Sequence, residues 1–289
     1  KSYFMHHLKI FIDLTRLNKP IGFMLLFWPC SWGLAYAYFS DQNLYVLLQY
    51  IFLFFLGSVL MRSAGCIFND IVDKDYDKRV KRTKQRPIAS GKISVNQSIF
   101  YVLLLCLISF VILIQFNFLT ICLGLGSMLL AFSYPFMKRI TYWPQLFLGL
   151  TFNWGMIMGY TAILDQISYE IIILYFAAIF WTLGYDTIYG LQDIADDEII
   201  GIRSTAIKFK KNIKLFVGTC YLITFLLMIY VFKENIGVNT STFFILMFSF
   251  SLIYQLIIFN KNKDFYCLKA FKANNLSGIF IFLTILFFN

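Results

Sequence analysis

Long stretches without a single Asp, Glu, Lys or Arg run through this 289-residue chain, separated by short polar segments. A helix rises 1.5 Å per residue, so about 20 such residues cross a ~30 Å hydrocarbon core. Charge-free runs cover residues 20–40, 42–61, 93–137, 140–164, 171–185, 215–232, 235–260 and 273–289. The run at 93–137 is 45 residues long, too long for one crossing, and is expected to fold back near Gln115–Asn117. The pattern therefore predicts an all-α polytopic membrane protein of about nine transmembrane helices, one domain over residues 1–289.

Composition agrees: 60% of residues are apolar, 20% aromatic and 14% charged, and the mean hydropathy of +0.72 is far from that of a soluble domain. A net charge of +10 invites comparison with nucleic-acid binders. The charge is better explained by sorting. With the N-terminus in the cytoplasm, 24 of the 25 basic residues fall on one side, counting Arg62 with the loop after the second span, and only Lys233 falls outside. A membrane-lipid environment and no nucleic-acid partner are expected. The six cysteines have no CxxC spacing and read as apolar fillers, and the adjacent His6 and His7 point in different directions, with no metal partners nearby. Lys1 in place of Met suggests a trimmed start, with the first span as its own insertion signal.

Nine of the fifteen acids fall in two clusters, Asp70, Asp73, Asp75 and Asp77 after the second span, and Asp186, Asp193, Asp196, Asp197 and Glu198 after the sixth. Either alone could be a solvated loop balancing its lysines. The spacing argues for more. Asn69, Asp73 and Asp77 share one helical face if the second span continues, as do Asp186, Tyr189, Asp193 and Asp197. Two facing carboxylate stripes repel unless a hard cation lies between them, which points to Mg2+ and, through it, to a phosphate ligand. Nearby bases strengthen this: Arg79, Lys81, Arg82 and Arg86, then Lys138 and Arg139, then Arg203. A diphosphate held by metal and guanidinium groups is a good leaving group.

The run Asn69-Asp70-Ile71-Val72-Asp73-Lys74-Asp75-Tyr76-Asp77, followed by Val80-Lys81-Arg82-Thr83-Lys84-Gln85-Arg86-Pro87, resembles the NDxxDxxxD and VxRTxxRP signature of the UbiA prenyltransferases. Asp186 through Asp197 is similar to their DxxYxxxD motif. Ser133 through Arg139 resembles their fourth-to-fifth span loop, and Arg16 through Pro20 their start. The resemblance implies a helix bundle around a central cavity with a Mg2+-bound polyprenyl diphosphate at its cytoplasmic mouth. It implies metal ligands Asn69, Asp70, Asp73 and Asp77 on one side and Asp186, Asp193 and Asp197 on the other. Asp75, on the opposite helical face, is left out. Arg82 and Arg86 are expected to bind diphosphate, with Lys138, Tyr189 and Arg203 also at the substrate, and Tyr134, Tyr189 and Trp154 to offer π faces to an allylic cation.

Within the family, the fit of these blocks and of Asn153-Trp154-Gly155-Met156 to hydroxybenzoate-type members implies 4-hydroxybenzoate as acceptor and a place in ubiquinone biosynthesis. Asp73 is expected to be catalytic, Asp193 to take the acceptor's proton as general base, and Arg139 or Arg16 to hold its carboxylate. Arg16 could instead be a membrane anchor and Arg139 a diphosphate ligand. Haem or naphthoate are the alternative acceptors. An ion-coupled transporter is disfavoured because the acids gather at one surface instead of the midplane. A multi-pass protein of the bacterial inner membrane is expected from the Ile, Phe and Lys richness and the lack of an Arg/Ser-rich leader, with the mitochondrial inner membrane as the alternative.

Overall fold

The computed structural model describes residues 2–288, without the side chains of residues 2–4 and 6, so Lys1 and the His6 ring lie outside the described residues. The chain is helical from end to end, with no strand among the described residues. An amphipathic α1 (Ser2–Thr15) leads to α2 (Ile21–Asp41), α3 (Leu44–Val72), the single turn α4 (Lys74–Asp77), α5 (Val95–Leu113), α6 (Phe118–Ile140) and α7 (Pro144–Leu164). There follow α8 (Tyr169–Gly190), a 3-10 turn at Leu191–Asp193, α9 (Ile194–Ile200), α10 (Thr205–Lys208), α11 (Ile213–Phe232), a 3-10 turn at Lys233–Asn235, α12 (Thr240–Ile258) and α13 (Asp264–Leu286).

Short polar residues start the long helices by accepting from backbone N–H groups that have no intrahelical partner. Asn43 Oδ1 accepts from Val46 at 3.2 Å, Asn117 Oδ1 from Thr120 at 2.9 Å and Asn239 Oδ1 from Thr242 at 2.8 Å, while Ser94 and Gln97 form a reciprocal capping box. The fold-back between α5 and α6 falls where Asn117 caps the second helix.

Among the described residues, eight helices are long and apolar enough to cross a membrane. The ninth, α13, has 23 residues but carries Asp264, Lys269, Lys272, Asn274 and Asn275 in its first half. Counting only charge-free residues misplaces several ends. The second span does not stop before Arg62: α3 has 29 residues, about 44 Å of helix. Arg62 is therefore inside a helix, not in the loop with which it was grouped. Likewise α8 begins before residue 171 and continues past 185, and α13 begins before 273.

Neither acidic stripe is one continuous helix. α3 ends at Val72 with Asp73 at φ −93° and ψ 4°, and α4 is a separate turn. α8 ends at Gly190, and Asp193 closes the 3-10 turn before α9. Carboxylates are disfavoured at a helix C-terminus, where the dipole is negative, so a run of them ends the helix.

α2, α7, α8, α11, α12 and α13 form the main bundle, with α3, α5 and α6 along one flank. Small residues bring α2 and α7 together. A Cβ on Gly33 would lie 2.0 Å from the Met156 carbonyl oxygen, and one on Gly159 2.5 Å from that of Cys30. Indole N–H groups tie the bundle: Trp32 Nε1 donates to the Gly278 carbonyl at 2.9 Å and Trp181 Nε1 to Asn274 Oδ1 at 2.8 Å. A smaller cluster around Leu14, Ala64, Ile67, Ile88, Val102 and Leu105 seats α1 and the 78–94 loop on α3 and α5. Of the cysteines, all free, Cys30, Cys66, Cys220 and Cys267 are buried.

Because Met156 meets Gly33 through backbone, no side-chain rearrangement can relieve a methyl there. Gly33→Ala is expected to cost about 1–3 kcal/mol and to lower the thermal midpoint in detergent. Gly57→Ala, whose Cβ would meet nothing within 4 Å, is expected to leave it unchanged.

Candidate active site

A cavity of about 1270 Å³ lies where α3, α6 and α8 end and α2 and α7 begin. Asn69, Asp73 and Asp77 line one wall and Asp186, Tyr189, Asp193 and Asp197 another, so the two acidic clusters face a common space. Arg16, Arg82, Arg86, Lys138, Arg203 and Tyr134 also line it.

The acids of the first wall are held by bases from other segments. Asp73 is buried and accepts from Asn69 Nδ2 at 3.0 Å and from Lys138 Nζ at the end of α6. Arg86 Nη1 donates to Asp77 Oδ2 at 2.8 Å and to Asp70 Oδ1 at 3.0 Å. Burial pushes the Asp77 carboxyl up from its ordinary range; Arg86 pulls it back, and the charges of Asp70 and Asp73 add to the rise. On the second wall, Arg82 Nη2 donates to Asp193 Oδ2 at 2.5 Å and its Nη1 to the Tyr189 hydroxyl at 2.9 Å. Burial alone would lower the pKa of Arg82, but Tyr189 and Asp193 outweigh it and raise it. Asp186 and Asp197 have no hydrogen-bond or ion-pair partner among the described side chains.

Several expectations need correcting. Asp70 is 1% exposed and absent from the cavity wall; it is taken up by Arg16 and Arg86, which does not suit a metal ligand. Arg139 also lies off the wall: its Nη2 donates to the Val72 carbonyl at 2.7 Å and its guanidinium sits 4.8 Å from the Tyr76 ring centre. It clamps the end of α3, with Nη2 also 3.4 Å from Asp73 Oδ1. Trp154 turns its indole N–H to the Leu123 carbonyl at 2.9 Å and its ring to Tyr175, away from the wall. Asp193 is already engaged by the Arg82 guanidinium. Arg203 lines the cavity, with Nη1 on the Ile140 carbonyl at 2.8 Å, and Asp75 pairs with Lys78 at 3.3 Å.

Arg62 was missed as a site residue. It lines the cavity seven residues before Asn69, about 10 Å deeper along α3. Its Nε is buried without a hydrogen-bond partner, and its guanidinium lies 5.4 Å from the Phe152 ring centre. Asp186, seven residues before Asp193, is about as deep on the facing helix and within electrostatic reach of Arg62. The available signal was an arginine that is the one charge between residues 44 and 69, in a mostly apolar run where a charge is costly unless functional.

The donor chemistry suits a hard cation. Among the described residues no three His, Cys, Asp or Glu side chains converge as a ready-made cage. Mg2+ does not require one, because it commonly takes one or two carboxylates and completes its shell with phosphate oxygens and water. Asn69, Asp73 and Asp77 on one wall and Asp193 and Asp197 on the other supply such oxygens to the same cavity.

Residues 26–283 match the UbiA prenyltransferase family. The chain is 40% identical over 277 residues to a protein of Photobacterium profundum named 4-hydroxybenzoate octaprenyltransferase, covering 96% of this chain and 95% of that one. It is 46% identical over 216 residues to an Arabidopsis thaliana protein named 4-hydroxybenzoate polyprenyltransferase, mitochondrial; the match takes in 74% of this chain and 53% of the relative, about half its length. Among solved structures, a UbiA homolog from Archaeoglobus fulgidus bound to GPP and Mg2+ shares the fold, with a TM-score of 0.68 at 17% identity over 96% of this chain and 99% of that one.

Arg82 is the ion-pair link from the 78–94 loop to the second acidic wall. Arg82→Ala is expected to raise deuterium uptake across residues 78–94 several-fold, with α5 and α11 unchanged.

Proposed function

The chain belongs to the UbiA prenyltransferase family, and on that premise we propose that it transfers a polyprenyl group from polyprenyl diphosphate to the ring carbon ortho to the phenol of 4-hydroxybenzoate, releasing diphosphate, in ubiquinone biosynthesis. The observation that carries this reading is the layering of one cavity: acids and bases at its mouth, and an unpaired arginine facing an unpaired carboxylate about 10 Å below. The names of the Photobacterium and Arabidopsis relatives support the acceptor. The Mg2+ bound in the Archaeoglobus structure supports the metal.

Asn69, Asp73, Asp77, Asp193 and Asp197 would hold Mg2+, and Arg16, Arg82, Arg86 and Lys138 the diphosphate. Bound Mg2+ offsets the negative charge that grows on the leaving diphosphate. The bond between the first prenyl carbon and the diphosphate oxygen breaks, and its electron pair leaves with the diphosphate. Tyr134 and Tyr189 on the wall offer π faces to the allylic cation. Arg62 holds the acceptor's carboxylate in a two-point fork; Arg139 is engaged with the Val72 carbonyl, and Arg16, beside Asp70, belongs with the groups that hold the diphosphate. The ortho ring carbon forms the new carbon–carbon bond, and its proton passes to Asp186, which takes over the role expected of Asp193. The chain acts as one multi-pass domain of a bacterial or mitochondrial inner membrane, with the mouth and N-terminus on the side that carries the basic loops.

The direct test supplies membranes containing the protein with a polyprenyl diphosphate, Mg2+ and 4-hydroxybenzoate, with EDTA as control. EDTA-sensitive formation of the ring-prenylated acid is expected; prenylation of naphthoate or haem instead would overturn the acceptor assignment. Asp73→Asn and Asp197→Asn should each lower turnover by about 100-fold or more in folded protein. Arg62→Ala should raise the KM for 4-hydroxybenzoate about 10-fold or more and leave that for the prenyl diphosphate unchanged.

A further inference from the structure

Asp70 sits in the middle of the first motif yet behaves unlike its neighbours. It is almost fully buried and off the cavity wall. One oxygen, Oδ1, accepts from two guanidinium groups, Arg16 Nη2 at 2.5 Å and Arg86 Nη1 at 3.0 Å. These come from opposite directions, Arg16 from the turn between α1 and α2 and Arg86 from the 78–94 loop. Both line the cavity.

A second observation concerns the backbone. Arg16 has φ +57°, a left-handed conformation that a residue with a Cβ keeps only when its surroundings enforce it. Its other side-chain contact is Nη1 to Cys66 Sγ at 3.6 Å, and a thiol sulfur is a weak acceptor. The bond to Asp70 is what fixes the Arg16 guanidinium. Arg86 uses only Nη1 on its two carboxylates, which leaves Nε and Nη2 for another anion. Without Asp70, two like charges would have to share the same few ångströms.

We propose that Asp70 is a positioning residue: it binds no metal, and it holds Arg16 and Arg86 side by side as a preformed seat for the diphosphate of the donor. The seat takes its ligand's identity from the proposed prenyl transfer, but the arrangement itself does not depend on the acceptor. Preorganised guanidinium groups bind an anion without first having to be brought together against their repulsion.

The test uses purified full-length protein in detergent, with Mg2+ alone and then inorganic pyrophosphate at saturating Mg2+ as calorimetric probes. Asp70→Asn should bind Mg2+ within about 2-fold of the unaltered chain and pyrophosphate about 10-fold more weakly. Asp73→Asn should instead weaken Mg2+ binding. Arg16→Met, which keeps the carboxylate, should weaken pyrophosphate binding alone, and the double variant should lose clearly less than the product of the two single losses, because both act through one contact. Loss of Mg2+ binding in Asp70→Asn equal to that in Asp73→Asn would overturn the proposal, and so would independent losses in the double variant. If Asp70→Asn does not fold, unchanged pyrophosphate binding in Arg16→Met would overturn it. An unaltered chain that binds pyrophosphate but does not prenylate 4-hydroxybenzoate would remove the acceptor assignment and leave the seat standing.

Discussion

Carboxylates at the C-terminal ends of apolar helices are unfavourable twice over, opposed by the helix dipole and stripped of water by the surrounding bundle. α3 carries Asp70 near its end and Asp73 just beyond it, and α8 leads into Asp193 and Asp197. These charges are tolerable only with cations close by, and the shape of the mouth follows from where the cations come from. Lys138 draws the end of α6 to Asp73, Arg16 draws the N-terminal arm to Asp70, and Arg82 and Arg86 span the 78–94 loop from one wall to the other. One electrostatic problem thus positions three segments that share no continuous secondary structure.

The rest of the bundle is held by a different force. Lipid offers no hydrophobic drive between helices, so close approach at glycine and internal polar bonds must do the work. Asn153 Nδ2 donates to the carbonyls of Gly149 and Ala178 and to Thr182, binding α7 to α8. Gln255 and Asn274 exchange bonds, and Asn274 accepts from Trp181, joining α8, α12 and α13. These contacts fix the rotation of α8 about its axis, and so decide that Asp186 and Tyr189 face the cavity.

The class of fold and the location of the chemistry were legible in the residues, because an apolar run of fixed length and two acidic clusters at one end leave few arrangements. Helix ends were less so. Treating charge as a boundary cut α3 short at Arg62, when the arginine lies inside the helix and turns its head into a polar cavity that only the tertiary fold creates. Helical spacing put Asp73 and Asp77 on one face, but it cannot register that a run of carboxylates ends the helix carrying them. The family resemblance made Asp70 and Asp73 equivalent candidates. What separates them is that one carboxylate meets Arg16, 54 residues earlier in the chain, and the other meets Lys138, 65 residues later.

The depth of each group bears on the main hazard of the proposed chemistry, capture of an allylic cation by water. In the proposed reaction the leaving group would be held at the mouth, among the charged side chains, and the reacting carbon would point toward a zone walled by Tyr134, Leu148 and Phe152. The charged groups seven residues further in, Arg62 and Asp186, are the ones a carboxylated phenol would engage. With that acceptor in place, the nearest nucleophile to the cation is its ring, because the same side chains that bind it occupy the polar volume that water would otherwise fill. Selectivity over hydrolysis then comes from the same separation of levels along α3 and α8 that keeps the acidic mouth apart from Arg62.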